Sequence, residues 1–459
     1  MMKSRLVICA ACCVLCSAGT AQWLETTIFV SDSAHPLNLV WNSSRNKVYC
    51  ALSCDGSGPD SVKVINGATN SVEATVAVGD YAGHYDCDLE YNPLNDKVYS
   101  ANAGSDNVSV IDCSADTVVA TIAVGGWPDA LAWSGMSNKV YCGNALTYDD
   151  LTVIDGSSNA VIKTIPLAGS SSIMLVWNPT SNMLYCFQSG ALSVVDCAND
   201  SVVTTLSFPS EYPYDMVLDT ADDRVYCSGS GCDSIVVVDC RTNSIAAQIP
   251  TQGWHYRLSW NSAADRLYCT PEYFGQYVKV IDCLSNTIVD SISIPPIGTP
   301  RFMFYNPENN KLLCASMDTL YNSIVYAIDC DSDTIVASLS VGQYSRCFGW
   351  NPVQNRTYVA NYNSSSISVI RDSGGGVEEV PKSELRTADA ATVIHGVLLL
   401  PKGVGSSTSY LLDATGRKVS TLRPGANDVG RLSPGVYFVR EARAGRAQGR
   451  VIRKVVTAR

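Results

Sequence analysis

The sequence predicts an all-β chain: a closed ring of repeated four-stranded units, followed by a small second β unit. Three observations carry that expectation. One short phrase recurs, as NKVYC at 46–50 and again at 138–142, with DKVYS (96–100), NMLYC (182–186), DRVYC (223–227), DRLYC (265–269) and NKLLC (310–314). The anchors just upstream, Trp41, Tyr91, Trp133, Trp177, Leu218, Trp260, Tyr305 and Trp350, stand 50, 42, 44, 41, 42, 45 and 45 residues apart. Between them, short apolar and alternating runs are separated by Asn, Asp, Ser and Gly turns, with no helical period. A period near 40–45 residues is the mark of a four-stranded β-propeller blade.

Each period reads the same way. An apolar stretch ends at the anchor ("DALAW", "RLSWN") and a turn such as "NPTSN" or "NSAAD" follows. The "KVYC" strand comes next, then a variable loop, then an alternating strand ("VSVID", "LTVID", "VKVID"). A tight turn ("CSAD", "GSSN", "CLSN") leads to the last strand, such as "VVATIAV" or "IVDSISI". The final repeat stops at "SISVIR" (366–371), after its third strand, while "WLETTIFV" (23–30) matches a fourth strand placed before any complete repeat. One blade assembled from both ends would close the ring and remove two open sheet edges. The count is eight blades. Seven is the alternative if one unit is irregular, and the first repeat, with its 50-residue spacing, is the suspect. "KVYSANAGSDNVSVIDCSADTVVATIAVGG" (97–126) and "TYVANYNSSSISVI" (357–370) resemble the YVTN family of β-propeller repeats, a likeness covering most of residues 22–371. It implies a fold and an extracellular or surface setting, and no single activity.

After Arg371 the text turns Gly-rich and mixed polar, which reads as a linker over 372–391. Residues 392–459 then read as a small Ig-like β-sandwich. Asp413-x-x-Gly416-Arg417 forms a turn, Leu432-Ser-Pro-Gly435-Val-Tyr437 opens a strand, and Lys454-Val-Val begins the last one. These three elements in order resemble the type A C-terminal sorting domain of type IX (Por) secretion cargo. That resemblance implies the secretion machinery as a partner. It also implies delivery to the surface or medium of a diderm bacterium.

The N-terminus agrees. Lys3 and Arg5, an apolar run over 6–16 and the small residues "SAGTA" form a signal peptide over 1–21. No other stretch approaches the roughly 18 apolar residues of a membrane span, so no transmembrane segment is expected after its removal. Charge divides the chain as composition does. Before residue 372 there are 18 Lys and Arg against 35 Asp and Glu, and from 372 onward 14 against 8. An acidic main body excludes nucleic acid as a partner, because it could not displace phosphate counterions.

Of 19 cysteines, four (Cys9, Cys12, Cys13, Cys16) fall in the leader. Most others occupy two repeat positions, after "VY" and after "ID". Those positions lie on the order of 15 Å apart along a hairpin, against the ~7 Å a disulfide tolerates. They therefore read as small apolar filling. Cys227 and Cys232, flanking "SGSG", are the one candidate local disulfide. No metal or cofactor is expected: no paired-ligand motif stands beside the four histidines, and "DCDSDT" (329–334) aligns with ordinary turns. No catalytic motif is present either.

One feature points to a ligand. Six residues before the anchors stand His35, Tyr85, Trp127, Ser171, Tyr212, Trp254, Thr299 and Tyr344, and two residues further on come Asp129, Arg301 and Arg346 among others. In a propeller these loops frame one mouth of the central channel. Rings offer flat faces to sugars or apolar side chains, and Arg or Asp offer oriented polar contacts. The expected site is thus His35, Tyr85, Trp127, Asp129, Tyr212, Trp254, Arg301, Tyr344 and Arg346. The expected function is non-enzymatic binding of a protein, glycan or envelope component. A lactonase-like hydrolase, with His84, Asp86, Asp129 and His255 as its available groups, and a structural envelope spacer are the alternatives.

Overall fold

The computed structural model describes residues 22–31, 33–54, 60–82, 89–145, 150–210, 212–251, 253, 255–271, 275–295 and 298–372, then 392–394, 397–400, 409–412, 418–423, 425–428, 435–441 and 451–457. The chain divides into two compact units, residues 1–376 and 377–459. The first is an eight-bladed β-propeller of eight four-stranded antiparallel sheets. Blade 1 is His35–Asn42, Lys47–Ser53, Ser61–Asn66 and Val72–Ala77. Blades 2 to 7 follow at 89–123, 128–166, 170–207, 213–250, 255–293 and 299–340. Blade 8 is Ser345–Asn351, Arg356–Asn361 and Ser366–Asp372, closed by Gln22–Phe29, which pairs antiparallel with the third strand from Gln22↔Asp372 to Phe29↔Ser366. The long first repeat is a regular blade. Its extra residues fall in the segments around 55–59 and 83–88, outside the described residues.

The strand positions explain the sequence pattern. Second strands sit between two neighbouring sheets and are buried along their length, whereas fourth strands form the outer edge and stay largely exposed. Adjacent residues of a strand point to opposite faces. The tyrosine of "VYC" therefore faces the following blade and its cysteine the preceding one. Six of the eight seams then place a large ring with a small thiol. Tyr358 shares a core cluster with Cys50, Tyr99 with Cys142, Tyr141 with Cys186, Tyr185 with Cys227, Tyr226 with Cys269 and Tyr268 with Cys314. Where blade 7 carries Leu313 in place of the tyrosine, blade 8 carries the larger Val359. The recurrent cysteine is the small half of a size-matched pair. All six of these thiols are fully buried, and Cys227 and Cys232 are both free.

Two polar rings on the lower rim fasten the blades. The tyrosine hydroxyls reach the next blade's turn between strands three and four: Tyr49 to Asp116 at 2.8 Å, Tyr141 to Asp200 at 2.7 Å, Tyr185 to Asn243 at 2.7 Å and Tyr358 to Asn70 at 2.8 Å. Lys47 and Lys139 join the same Asp116 and Asp200. Closer to the axis, at seven of the eight seams the residue ending the first strand grips the left-handed residue of the next blade's first turn. Its side-chain oxygen also accepts the N–H groups of its own turn, as Asn42 does from Arg45 and Asn261 from Ala263 and Ala264.

The second unit holds a five-stranded sheet in the order 392–394, 451–457, 435–441, 409–412, 418–422, whose first pair is parallel, and a two-stranded ribbon of 397–400 with 425–428. Gly435-Val-Tyr437 and Lys454-Val-Val lie on adjacent paired strands, while 413–417 and 432–434 lie outside the described residues. Among the described residues no helix is long and apolar enough to cross a membrane.

Candidate functional site

The upper rim carries the loops between strands two and three and the crossovers from each fourth strand to the next blade. Three crossovers share a Val-Gly-x-aromatic phrase, ending at Tyr81, Trp127 and Tyr344. The glycine is dictated by proximity. A Cβ on Gly79, Gly125 or Gly342 would come within 2.8, 2.7 and 2.6 Å of the side chains of Asn102, Asn144 and Asn361. Those asparagines end the second strands, fully buried, and tie them to the third; Asn102 Nδ2 donates to Asn107 at 2.7 Å and to Ser109 at 2.9 Å.

Two residues past the glycine the backbone turns left-handed. Tyr81, Trp127 and Tyr344 have φ of 57°, 54° and 55°. Their carbonyls accept the N–H groups of Ala103, Ala145 and Tyr362 at 3.3, 3.0 and 2.9 Å. Tyr321, in a loop of blade 7, joins them with φ of 64°, its carbonyl accepting the Tyr344 N–H at 2.8 Å. Among the described residues 21 non-glycines have positive φ, of which 16 are Asn or Asp and four are these rings. Asn and Asp tolerate this conformation cheaply, whereas a bulky ring there is a true outlier.

The rings form two groups. Tyr81 and Trp127 lie 6.1 Å apart and pack on the core between blades 2 and 3. The second group runs from blade 7 across blade 8 to blade 1. Tyr321 and Tyr344 are 5.3 Å apart, Tyr344 meets Tyr362 edge-on at 5.4 Å, and Tyr362 stacks on His35 at 4.2 Å. His35 is fixed by its Nδ1, which donates to the Tyr362 carbonyl at 2.8 Å. The Arg346 guanidinium lies over both Tyr344 and Tyr362, at 5.7 and 5.6 Å.

Arg346 also lines a channel cavity of about 350 Å³ with Leu37, Asp215, Arg257, Phe302 and Phe348. A second cavity of about 170 Å³ shares Asp215 and Arg257. Arg257 lies over the Phe302 ring at 5.0 Å and donates to the Tyr214 carbonyl at 3.0 Å. Asp215 accepts backbone N–H groups at both oxygens, from Met216 at 2.9 Å and from Leu258 at 2.8 Å.

Of the residues expected at the mouth, His35, Tyr344 and Arg346 come together, and Trp127 stands in the other ring group. Tyr212 is solvent-facing, 55% exposed. Asp129 is buried and accepts the Ile173 N–H at 3.2 Å, a strut between first strands. Arg301 is half-buried, and its carbonyl accepts the Thr270 hydroxyl at 3.3 Å. Tyr85 and Trp254, with His84, Asp86 and the His255 side chain, lie outside the described residues. The spacing rule missed Tyr81, Tyr321, Tyr362, Asp215 and Arg257. The Val-Gly-x-aromatic phrase marks Tyr81, since a longer crossover moves Tyr85 out of register. Arg257 and Asp215 escaped because the first strands bulge near their start, between His255 and Leu258 and between Pro213 and Asp215, and a bulge breaks the parity that a fixed spacing assumes.

No family model matches the chain, and no curated protein does either. Solved structures match in fold. One is "Kuenenia stuttgartiensis Hydrazine Synthase", at 18% identity and a TM-score of 0.52, covering 74% of this chain and 97% of that one. Another is "Dihydro-heme d1 dehydrogenase NirN in complex with DHE", at 15% identity and a TM-score of 0.58, covering 76% of this chain and 74% of that one. At these identities the likeness is one of fold alone.

Proposed function

We propose that this protein is an exported, non-enzymatic binding module whose ligand rests on the aromatic upper rim. The carrying observation is the set of four left-handed rings, all on that rim, in a chain that gives the same conformation elsewhere almost wholly to Asn and Asp. Strain of this kind costs on the order of 1–3 kcal/mol per residue and persists where surrounding structure holds it for a purpose. The run from Tyr321 to His35 offers flat faces, and Arg346 beside it offers a cation. A glycan bearing carboxylates suits both features, with sugar faces on the rings and the charge at Arg346.

The test is a glycan array of neutral and uronic-acid oligosaccharides, probed with the chain and with Tyr344→Ala, Tyr362→Ala and Arg346→Ala. Binding biased to acidic sugars and weakened at least tenfold by each variant is expected. Absence of glycan binding, or binding unchanged in all three variants, defeats the reading. A hydrolase would need a free base in the channel. Asp215, the carboxylate lining both cavities, already accepts an N–H at each oxygen, which favours a strut.

Export is part of the same proposal, supported by the leader pattern over 1–21 and by the ordered motifs of the tail. YVTN-like repeats for the ring and a type IX sorting role for residues 392–459 remain the reading that those phrases favour. Deleting 392–459 in a type IX-competent host should trap the protein in the periplasm; normal release would sink that role.

A further inference from the structure

The inner ring of the lower rim has one seam unlike the others. At seven seams a side-chain donor crosses to the next blade: Asn42 to Asp96 (2.9 Å), Asn92 to Asn138 (2.9 Å), Ser134 to Asn182 (3.0 Å), Asn178 to Asp223 (2.6 Å), Asn261 to Asn310 (3.1 Å), Asn306 to Asn355 (3.0 Å) and Asn351 to Asn46 (2.8 Å). Between blades 5 and 6 the corresponding residues are Asp219 and Asp265, two carboxylates. Asp219 performs half of the asparagine's work, its Oδ1 accepting the N–H groups of Ala221 and Asp222 at 2.8 and 3.1 Å. Its Oδ2 stands where its sisters carry the donating nitrogen. Asp219 is fully buried, and among the described residues this oxygen has no hydrogen-bond partner. A thiol completes the corner. Cys283 occupies the "IDC" position of blade 6, and its Sγ and one oxygen of each carboxylate all lie within 4.8 Å of one another.

A buried carboxylate facing another needs a positive charge between them. We propose that Asp219, Asp265 and Cys283 bind a divalent transition-metal ion of the zinc class, which bridges blades 5 and 6 in place of the missing amide donor. Two carboxylate oxygens and one sulfur make three ligands of a tetrahedral site, with water for the fourth. The sulfur selects zinc-class ions over calcium or magnesium. Asp265 is half-buried, so the site has a route from solvent, and its orientation is set by the Trp260 indole N–H at 3.2 Å. Binding displaces the Cys283 proton to solvent as the thiolate forms, so uptake releases acid. Arg224, donating to the Cys283 carbonyl at 2.6 Å, offsets part of the anionic charge of the ligand set.

The experiment uses the full chain, metal-stripped and then equilibrated with Zn²⁺ or Co²⁺. The expected result is about one tightly held metal per chain by elemental analysis, and with Co²⁺ a near-ultraviolet sulfur-to-metal charge-transfer band. Asp219→Asn, which restores the amide of the sister seams and so should fold, must lose that metal and the band. Cys283→Ser must lose the band. A wild-type chain that retains no metal overturns the proposal, because a shared proton then neutralises the seam. So does a chain whose uptake and band survive Asp219→Asn, because other thiols are then the ligands.

Discussion

The size-matched pairing of tyrosine and cysteine can be tested at the seam of blades 2 and 3, where Tyr99 and Cys142 share a core cluster and both are fully buried. Tyr99 suits the purpose because its hydroxyl donates to the Gly156 carbonyl over a long 3.3 Å, so little polar energy confuses the steric result. Cys142→Val adds bulk to a full seam and should cost about 1–2 kcal/mol. Tyr99→Leu leaves a void and should cost about 3 kcal/mol, while the Gly156 carbonyl keeps Lys97 as a donor at 3.0 Å. Blades 7 and 8 already use the Leu–Val combination, as Leu313 with Val359. The double variant should therefore fall short of the sum of its parts by about 1–2 kcal/mol, the size of coupling expected for residues in contact.

Urea midpoints, with slopes checked for constancy, give the three free-energy changes. In a thermal melt the scale is about 0.7 kcal/mol per degree, from roughly 2.1 cal/mol/K per residue over about 350 residues, so Tyr99→Leu alone shifts Tm by about 4 °C. Additivity within about 0.5 kcal/mol would refute the pairing and return the cysteine to mere repetition.

Asp200→Ala should be among the costlier single changes on the lower rim, about 3 kcal/mol by urea unfolding, because it removes the carboxylate from Lys139, 2.7 Å away, and from the Tyr141 hydroxyl, leaving both only the Cys197 carbonyl. A loss under 1 kcal/mol would mean the outer polar ring is ornamental. In the turn of blade 3, Ser158 and Ser157 N–H groups and the Ser158 hydroxyl hold Asp155 below the usual carboxylate range. A depressed carboxylate contributes stability above its unfolded pKa of about 3.9 and loses it as pH falls through the folded value. Asp155→Asn should therefore be less stable than wild type at neutral pH and converge with it in acid. A difference that grows in acid contradicts that sign. Burial raises the thiol pKa of Cys142, Cys269 and Cys314, the last two to about 12. These should resist alkylation in the native chain and react at once in urea, with labelled peptides read by mass spectrometry.

How much was legible from sequence follows from what a repeat records. The blade count, strand order and closing strand were legible because each unit must bury the same faces, so Trp, Tyr and Cys return at fixed intervals. The rim site was half legible. Crossovers carry no packing constraint on their length, so counting back from an anchor finds Trp127 and Tyr344 but slides from Tyr81 to Tyr85. Counting forward from the Val-Gly pair works better, because that glycine touches a buried asparagine and cannot drift. Arg257 and Asp215 were hidden by bulges, which swap the faces of a strand without leaving a mark in composition. The seam at Asp219 was present as a single letter, Asp where six sister units have Asn and one has Ser134. Its meaning needs the partner across the seam, which lies 46 residues on.

The two rims divide the labour of the ring, and the division bears on where change would be tolerated. The lower rim is redundant: seven equivalent donor bridges hold neighbouring blades, so loss of one costs its local energy and leaves the ring closed. Redundancy explains how one seam can abandon the amide altogether for two carboxylates and a thiol without the fold failing. The upper rim is not redundant. Tyr344 takes a backbone N–H bond from Tyr362, gives one to Tyr321, and contacts both of their rings, so its strained conformation is held by partners from two blades. Replacing Tyr344 with glycine would relieve the strain while removing the ring. A chain that becomes more stable and loses its ligand together would tie the strain to binding, whereas a chain that becomes less stable would make the ring a structural wedge.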